Sequence, residues 1–296
     1  MLYGILVATA FSDRSADPPR RAAMLAAAHA TENFELLSVV APARTGQPLW
    51  RQAMQGLAHQ AARLRQAFGV RCRALLGEGS LVAHTMARVD ATAPGLVVLG
   101  WHAPSWLGRL RNAWAFGAIA RRSRQPVLLV RNAVLRPYAR VLVAADFSDA
   151  ALEAVRAAAR CAPGARFTLL HALDSGMEGY FRRAGVADRV IEQYRRKLRS
   201  AARTRFQRFL GRLHLPGADV KLVMSPHPER AALRVHAALA RPDLIVVSAR
   251  GCGILGGLLG TSAAHETLAA TSCDLLVVPR KGAAPNACPI SRVREV

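Results

Sequence analysis

The feature that most constrains the fold of this chain is an internal repeat. The segment ILVATAFSD at residues 5–13 recurs as VLVAADFSD at residues 141–149, with six of nine positions identical. Three further apolar runs, beginning at residues 34, 95 and 125, recur in the same order at residues 167, 243 and 273. A repeat of this length in a chain of 296 residues predicts two similar domains in tandem.

Each half consists of short Val- and Leu-rich runs separated by stretches long enough for helices. This pattern is typical of parallel strands that are buried on both faces and joined by crossover helices, which gives an α/β fold with a doubly wound sheet. In the second half we predict strands near residues 140–145, 166–172, 219–224, 243–248 and 274–278.

The domain boundaries follow from the repeat and from proline. We predict domains at residues 1–134 and 135–284, joined by a linker at residues 132–137 that ends in a proline. The tail at residues 285–296 contains two prolines and no apolar period, so we expect it to be disordered. The offset between the halves rises from 133 to 148 after the second apolar run, which predicts a longer helix in the second half.

That helix is predicted from about Val190 to Leu213. Its apolar residues follow the helical period and predict one buried stripe, formed by Ile191, Tyr194, Leu198, Ala202, Phe206, Phe209 and Leu213. The other face carries Arg195, Arg196, Arg199, Arg203 and Arg208. A face of this kind is usually solvated, and the alternative is a groove for the phosphates of a nucleic acid.

The net charge of +22 permits the same two interpretations for the whole chain. It could reflect a polyanionic partner, either nucleic acid or an anionic membrane surface. It could also be compositional, because only three of the 41 cationic residues are lysines, a bias typical of a GC-rich coding sequence.

Composition limits the class of protein. The chain is 52% hydrophobic and 20% charged, which is typical of a packed core. No apolar stretch approaches the roughly 18 residues of a membrane-spanning helix. Five cysteines without a C-x-x-C pair favour neither a disulfide framework nor a cysteine-based metal site, so we expect a cytoplasmic protein without a bound metal.

Two loops of the second half are candidates for binding, because ligands of open parallel sheets bind at the carboxyl ends of the strands. Asp146 follows the first strand, where it could accept hydrogen bonds from a nucleoside, while Ser148 or Asp149 is expected to cap the next helix. The Gly-rich loop at residues 249–262 follows the fourth strand. It could cradle a phosphate, or it could be a flexible turn that ends in a capping Thr261 or Ser262.

The segments VLVAADFS at residues 141–148, DLIVVS at 243–248 and DLLVVP at 274–279 resemble the universal stress protein family. The resemblance extends from Tyr3 to about Arg280, as a tandem of two family domains. It implies that each domain is a flavodoxin-like or adenine-nucleotide alpha hydrolase-like five-stranded parallel sheet flanked by helices. It also implies an intramolecular pseudo-dimer in which residues 126–131 pair with residues 274–280.

The resemblance further implies ATP as a ligand of the second domain. Family members that bind ATP use the acidic residue after the first strand and a loop of the form Gly-x-x-Gly, nine residues, Gly-Ser/Thr. This chain departs from that loop, because Ser248 replaces its first glycine and the loop is about one residue short. The residues implied to bind the nucleotide are Asp146, Phe147, Gly251, Gly253, Gly260, Thr261 and Ser262.

The first half departs further from the family pattern. Ala10 replaces the acidic residue, and Asn112 and Ala113 stand opposite Gly260 and Thr261. We therefore expect that the first half binds no nucleotide.

The leading hypothesis is a non-catalytic, cytoplasmic stress-response protein whose second domain binds ATP. The alternatives are a nucleic-acid or polyanion-binding protein that uses its arginine-rich helix faces, and an enzyme that hydrolyses ATP slowly; assembly into homo-oligomers is left open. No catalytic triad order, carboxylate pair or H-E-x-x-H motif is present, and His102 and His171 are expected to be packing or surface residues.

Overall fold

The computed structural model describes residues 2–10, 17–40, 47–101, 106–134, 136–173, 176–215, 217–248, 273–279 and 293–295. In the first half, strands and helices alternate along the chain. They are β1 (Ile5–Ala10), α1 (Asp17–His29), β2 (Phe34–Val40), α2 (Gln47–Phe68), β3 (Cys72–Glu78), α3 (Leu81–Thr92), β4 (Leu96–Gly100), α4 (Trp106–Arg122) and β5 (Val127–Val130).

The second half has five strands as well, and each of its five predicted strands is confirmed to within one residue at either end. Its elements are β6 (Arg140–Ala144), α5 (Asp149–Cys161), β7 (Arg166–Ala172), α6 (Gly176–Arg183), α7 (Asp188–Leu213), β8 (Val220–Ser225), α8 (Glu229–Ala240), β9 (Leu244–Ser248) and β10 (Asp274–Val278).

The extra length of the second half lies between β7 and β8. The prediction of a longer helix is confirmed only in part, because α7 has 26 residues against 22 in α2. The additional helix α6, of eight residues, supplies more of the insertion than that difference does. The apolar stripe of α7 is confirmed for five of its seven predicted residues. Tyr194 and Leu198 are half-buried, and the buried residues are Ile191, Ala202, Phe206, Phe209 and Leu213.

The strands of both halves belong to one continuous sheet. Among the described residues its order is β11-β3-β2-β1-β4-β5-β10-β9-β6-β7-β8, where β11 is Val293–Glu295, so each half has the order 3-2-1-4-5. The halves meet where β5 and β10 pair antiparallel, with Leu275 opposite Leu129 and Val277 opposite Val127. The pseudo-dimer implied by the resemblance is thereby confirmed.

The core has two layers, one on each face of the sheet, and each layer contains residues from both halves. Successive strand residues alternate between the layers: Leu244 and Val246 belong to one, whereas Ile245 and Val247 belong to the other. Because burying one such side chain contributes about 1.5–3 kcal/mol, the shared layers stabilise the two halves as a single unit.

A buried carboxylate joins the linker to the start of β10. Asp274 accepts hydrogen bonds from the Tyr138 hydroxyl at 2.6 Å, the Arg131 N–H at 2.8 Å and the Asn132 N–H at 3.3 Å. The Arg21 Nε from α1 lies 3.8 Å from the same carboxylate, and its guanidinium lies 3.9 Å from the centre of the Tyr138 ring. Arg21 also donates to the Arg136 carbonyl at 2.8 Å. The linker is therefore bound to both halves.

The prediction of a disordered tail at residues 285–296 is wrong for residues 293–295. Val293–Glu295 form β11, which pairs antiparallel with β3. The physical reason is that β3 would otherwise present a row of unpaired N–H and C=O groups at the sheet edge, which even a short added strand satisfies. No helix within the described ranges is both long and apolar enough to cross a membrane.

Asp274 provides a test of the junction. Replacement of Asp274 by alanine leaves the buried Arg21 without its counter-ion, so we expect the free energy of unfolding to fall by about 3–5 kcal/mol in urea denaturation. The control is Asp219→Asn, because Asp219 and its ion-pair partner Arg166 are 71% and 81% exposed. That exposed pair should contribute less than about 1 kcal/mol. Equal effects of the two substitutions would contradict the role of Asp274.

Candidate functional site

The candidate site lies where β6 ends and α5 begins. Asp146 is exposed there, and its Oδ1 accepts a hydrogen bond from the Ser148 N–H at 3.0 Å, which is the geometry of an Asx turn. Ser148 caps α5, because its Oγ accepts from the Ala151 N–H at 3.3 Å. Of the two predicted capping residues, Ser148 is therefore confirmed and Asp149 is not: Asp149 is the first helical residue, and its carboxylate pairs with Arg212.

The orientation of Asp146 depends on an unusual backbone at Phe147. Phe147 has a φ of +61°, in the left-handed region, which costs about 1–2 kcal/mol for a residue with a side chain. This conformation places the Phe147 ring in the core, against Phe206 and Phe209 of α7, while Asp146 faces solvent. Of the predicted binding residues, Phe147 can therefore reach a ligand only through its backbone.

Two further side chains, Arg205 and His171, hold this turn, although nothing in the sequence indicates this role for either of them. The Arg205 guanidinium from α7 donates to the Asp146 carbonyl at 3.1 Å and lies 5.8 Å from the centre of the Phe147 ring. His171, at the end of β7, donates from Nδ1 to the Ala145 carbonyl at 2.8 Å, and its ring centre lies 4.5 Å from that of Phe147. The expectation that His171 is a packing residue is confirmed.

A second carboxylate lies near Asp146. Glu229 begins α8, and burial together with the negative charge of Asp146 raises the pKa of Glu229. Nothing in the sequence links these two residues, because 82 positions separate them. They meet because β6 and β8 end at the same edge of the sheet, and a residue that follows either strand is placed there.

The phosphate-binding part of the predicted site lies outside the described residues. Gly251, Gly253, Gly260, Thr261 and Ser262 all belong to the segment at residues 249–272. The strand that precedes this segment is described, and it ends at Ser248. β9 pairs in parallel with β6, with Val143 opposite Val246, so Ser248 lies at the same sheet edge as Asp146. This is the point where the strand order reverses.

The corresponding point of the first half is built differently. The Cγ of Pro18 in α1 lies 2.8 Å from where a Cβ on Gly100 would stand, so a proline ring packs directly on the end of β4. Asn112 and Ala113, which stand opposite Gly260 and Thr261, lie well inside α4 rather than at its start. A position inside a helix has no free backbone N–H groups to offer a phosphate.

Other chemistry at the described residues is limited. Within the described ranges, no group of three or more His, Cys, Asp or Glu side chains could hold a metal ion. Cys72, Cys161 and Cys273 are free thiols, and burial raises the pKa of Cys161 to about 12, which makes it a poor nucleophile. His102, Cys252 and Cys288 lie outside the described residues.

Comparison with known proteins places these features in a family. The profile of the Universal stress protein family matches residues 1–131 and 137–279. A universal stress protein from Archaeoglobus fulgidus DSM 4304 has a similar structure, with a TM-score of 0.63 and 14% identity over 94% of this chain and 97% of that one. A protein of unknown function from Pseudomonas aeruginosa PAO1 has a TM-score of 0.58 and 16% identity over 93% of this chain and 92% of that one. No curated protein matches the sequence significantly.

The packing of His171 predicts a pH dependence of stability. Burial is the main cause that lowers the pKa of His171 below its ordinary value of 6.5. The unfolded chain therefore binds more protons near pH 6, so the contribution of His171 is present above pH 6.5 and is lost as the pH falls through the lowered pKa. His171→Asn keeps a donor near Nδ1 but cannot be protonated. We expect the stability advantage of the wild type over this variant to shrink between pH 7.5 and 5.5 in urea denaturation. A constant or growing advantage would contradict the assignment.

Proposed function

Because the chain belongs to the universal stress protein family, we propose that its second half binds ATP as a regulatory ligand and that its first half is a structural partner. In this proposal the protein acts in the cytoplasm as a stress-response regulator and not as an enzyme, with at most slow hydrolysis of ATP. The observation that carries the proposal is the placement of Asp146, an exposed carboxylate fixed at the point where the strand order reverses.

The geometry around Asp146 suits a nucleoside. A carboxylate only accepts hydrogen bonds, and the hydroxyls of a ribose and the amino group of an adenine are donors of the required kind. Because the Phe147 backbone and Arg205 fix the turn, Asp146 needs little reorganisation to bind. The Gly-rich segment starts at the end of the adjacent β9 and would supply backbone N–H groups to the phosphates.

The first half supports the second in this proposal rather than binding a second nucleotide. Ala10 provides no acceptor after β1, and Pro18 packs on the end of β4. The first half still provides β5, which pairs with β10 and so covers the edge of the second half's sheet. We therefore expect one bound ATP per chain.

The test is calorimetric titration of ATP into the full-length protein, after native mass spectrometry has established whether it is purified with nucleotide. Loss of a hydrogen bond to a charged group costs about 1.5–3 kcal/mol, so Asp146→Ala should weaken binding about 10- to 100-fold. Thr261→Ala should weaken it as well. The matched control is Asp149→Ala, three positions further on, whose carboxylate pairs with Arg212 and should not affect affinity.

Two results would overturn the proposal. Binding that is unchanged by Asp146→Ala and Thr261→Ala would mean that the site is elsewhere. A stoichiometry of two would mean that the first half also binds nucleotide. ATP turnover measured on the same samples reports on hydrolysis separately from binding.

A further inference from the structure

The positive charge of the chain is concentrated in the α6–α7 segment, residues 176–213. This segment contains eleven Arg and Lys residues against three Asp and Glu, a net charge of +8 out of +22. The pseudo-equivalent helix of the first half, α2, contains only three arginines. The excess of positive charge over the first half therefore lies in the α6–α7 segment, which includes the additional helix α6.

Few carboxylates neutralise this charge. Glu178 of α6 pairs with both Arg182 and Arg195, and Glu192 pairs with Arg195 and Arg199. These contacts attach α6 to α7 and occupy both glutamates. Arg205 donates to the Asp146 carbonyl and Arg212 pairs with Asp149, and the other cations of the segment face solvent.

Three of those cations form what we call the arginine row: Arg189, Arg196 and Arg203. They are seven residues apart, which in an α-helix brings each back to nearly the same face with a spacing of about 10 Å. All three are exposed, and within the described part of the chain none makes an ion pair or a side-chain hydrogen bond. Gln193 and Ser200 lie between them on the same face, Gln207 follows one turn beyond Arg203, and all three are also exposed.

We propose that the arginine row of α7 is a docking face for the sugar-phosphate backbone of duplex nucleic acid. The charge of the row complements a regular array of phosphates, and glutamine and serine between the arginines can add hydrogen bonds to phosphate oxygens. The row contains no aromatic side chain on which an unpaired base could stack. It also lacks the apolar side chains by which a surface helix inserts into a membrane. Binding of this kind is independent of base sequence and of the nucleotide site.

The test measures the salt dependence of binding to a fluorescent 20-base-pair DNA duplex by anisotropy, with full-length protein. Each phosphate contact contributes about 0.9 to the slope of log affinity against log salt. Replacing Arg189, Arg196 and Arg203 together by glutamine should therefore lower that slope by about 2.7. Between 50 and 200 mM salt, the wild type should lose about 40-fold more affinity than this variant.

The chain offers a control of equal charge. Arg51, Arg63 and Arg65 are the three arginines of α2, and all are exposed. Their replacement by glutamine changes the net charge by the same amount, yet should leave the slope close to that of the wild type. Glutamine is a good helix former, so both triple variants should fold, which circular dichroism verifies.

Several outcomes would refute the docking face. Equal loss in the two triple variants would mean that binding follows net charge alone. Tighter binding to single-stranded DNA than to the duplex, or binding to phosphatidylserine vesicles without binding to DNA, would identify a different partner. Absence of any duplex binding at 50 mM salt would exclude the proposal directly. None of these results depends on whether Asp146 binds ATP.

Discussion

The arrangement of the two halves depends on the contacts of one buried carboxylate, that of Asp274. It lies at the first residue of β10, where the halves meet, and it accepts hydrogen bonds from Arg131 and Tyr138, which flank the linker, while facing Arg21 of α1. Burial raises the pKa of this carboxyl, and the hydrogen bonds from Tyr138 and Arg131 and the charge of Arg21 oppose the rise. A buried ion pair is often no more stabilising than an apolar one, but its geometry is specific. Asp274 therefore holds the linker and α1 at the start of β10.

The two ends of the β5–β10 junction also differ, although the two halves have the same fold. An antiparallel pair of edge strands would suit two identical halves, but Pro126 occupies the position in the first half that Asp274 has in the second. Only one end of the junction therefore has the buried carboxylate, and the linker follows that end. The first half contributes α1 and β5 to the junction. In the second half, the end of β6 lies elsewhere and carries the exposed Asp146.

The strands were predictable because doubly buried strands leave uninterrupted Val and Leu runs, and several of these runs recur in both halves. The stripe of α7 was predictable for the same reason, since packing against a sheet requires the helical period. The positive φ of Phe147 was not, because nothing local distinguishes an aromatic residue in that conformation. Arg21 and Glu229 were missed because their partners, Asp274 and Asp146, are distant in sequence. The strand β11 was missed because its stability comes from the edge of β3 rather than from its own composition.

The charge of α7 opposes the stability of the helix that carries it. Arg195, Arg199 and Arg203 are successive neighbours four residues apart, and each like-charged pair at this spacing destabilises a helix by about 0.2–0.5 kcal/mol. The apolar stripe and the two glutamates offset this repulsion, but neither requires Arg189, Arg196 or Arg203. Glutamine at those three positions would preserve the packing and remove the repulsion between Arg199 and Arg203. A compositional bias would distribute arginine over α2 as well, and α2 has three arginines where α7 has eight. The concentration of arginine on the exposed surface of α7 is therefore better explained by a partner that carries phosphates.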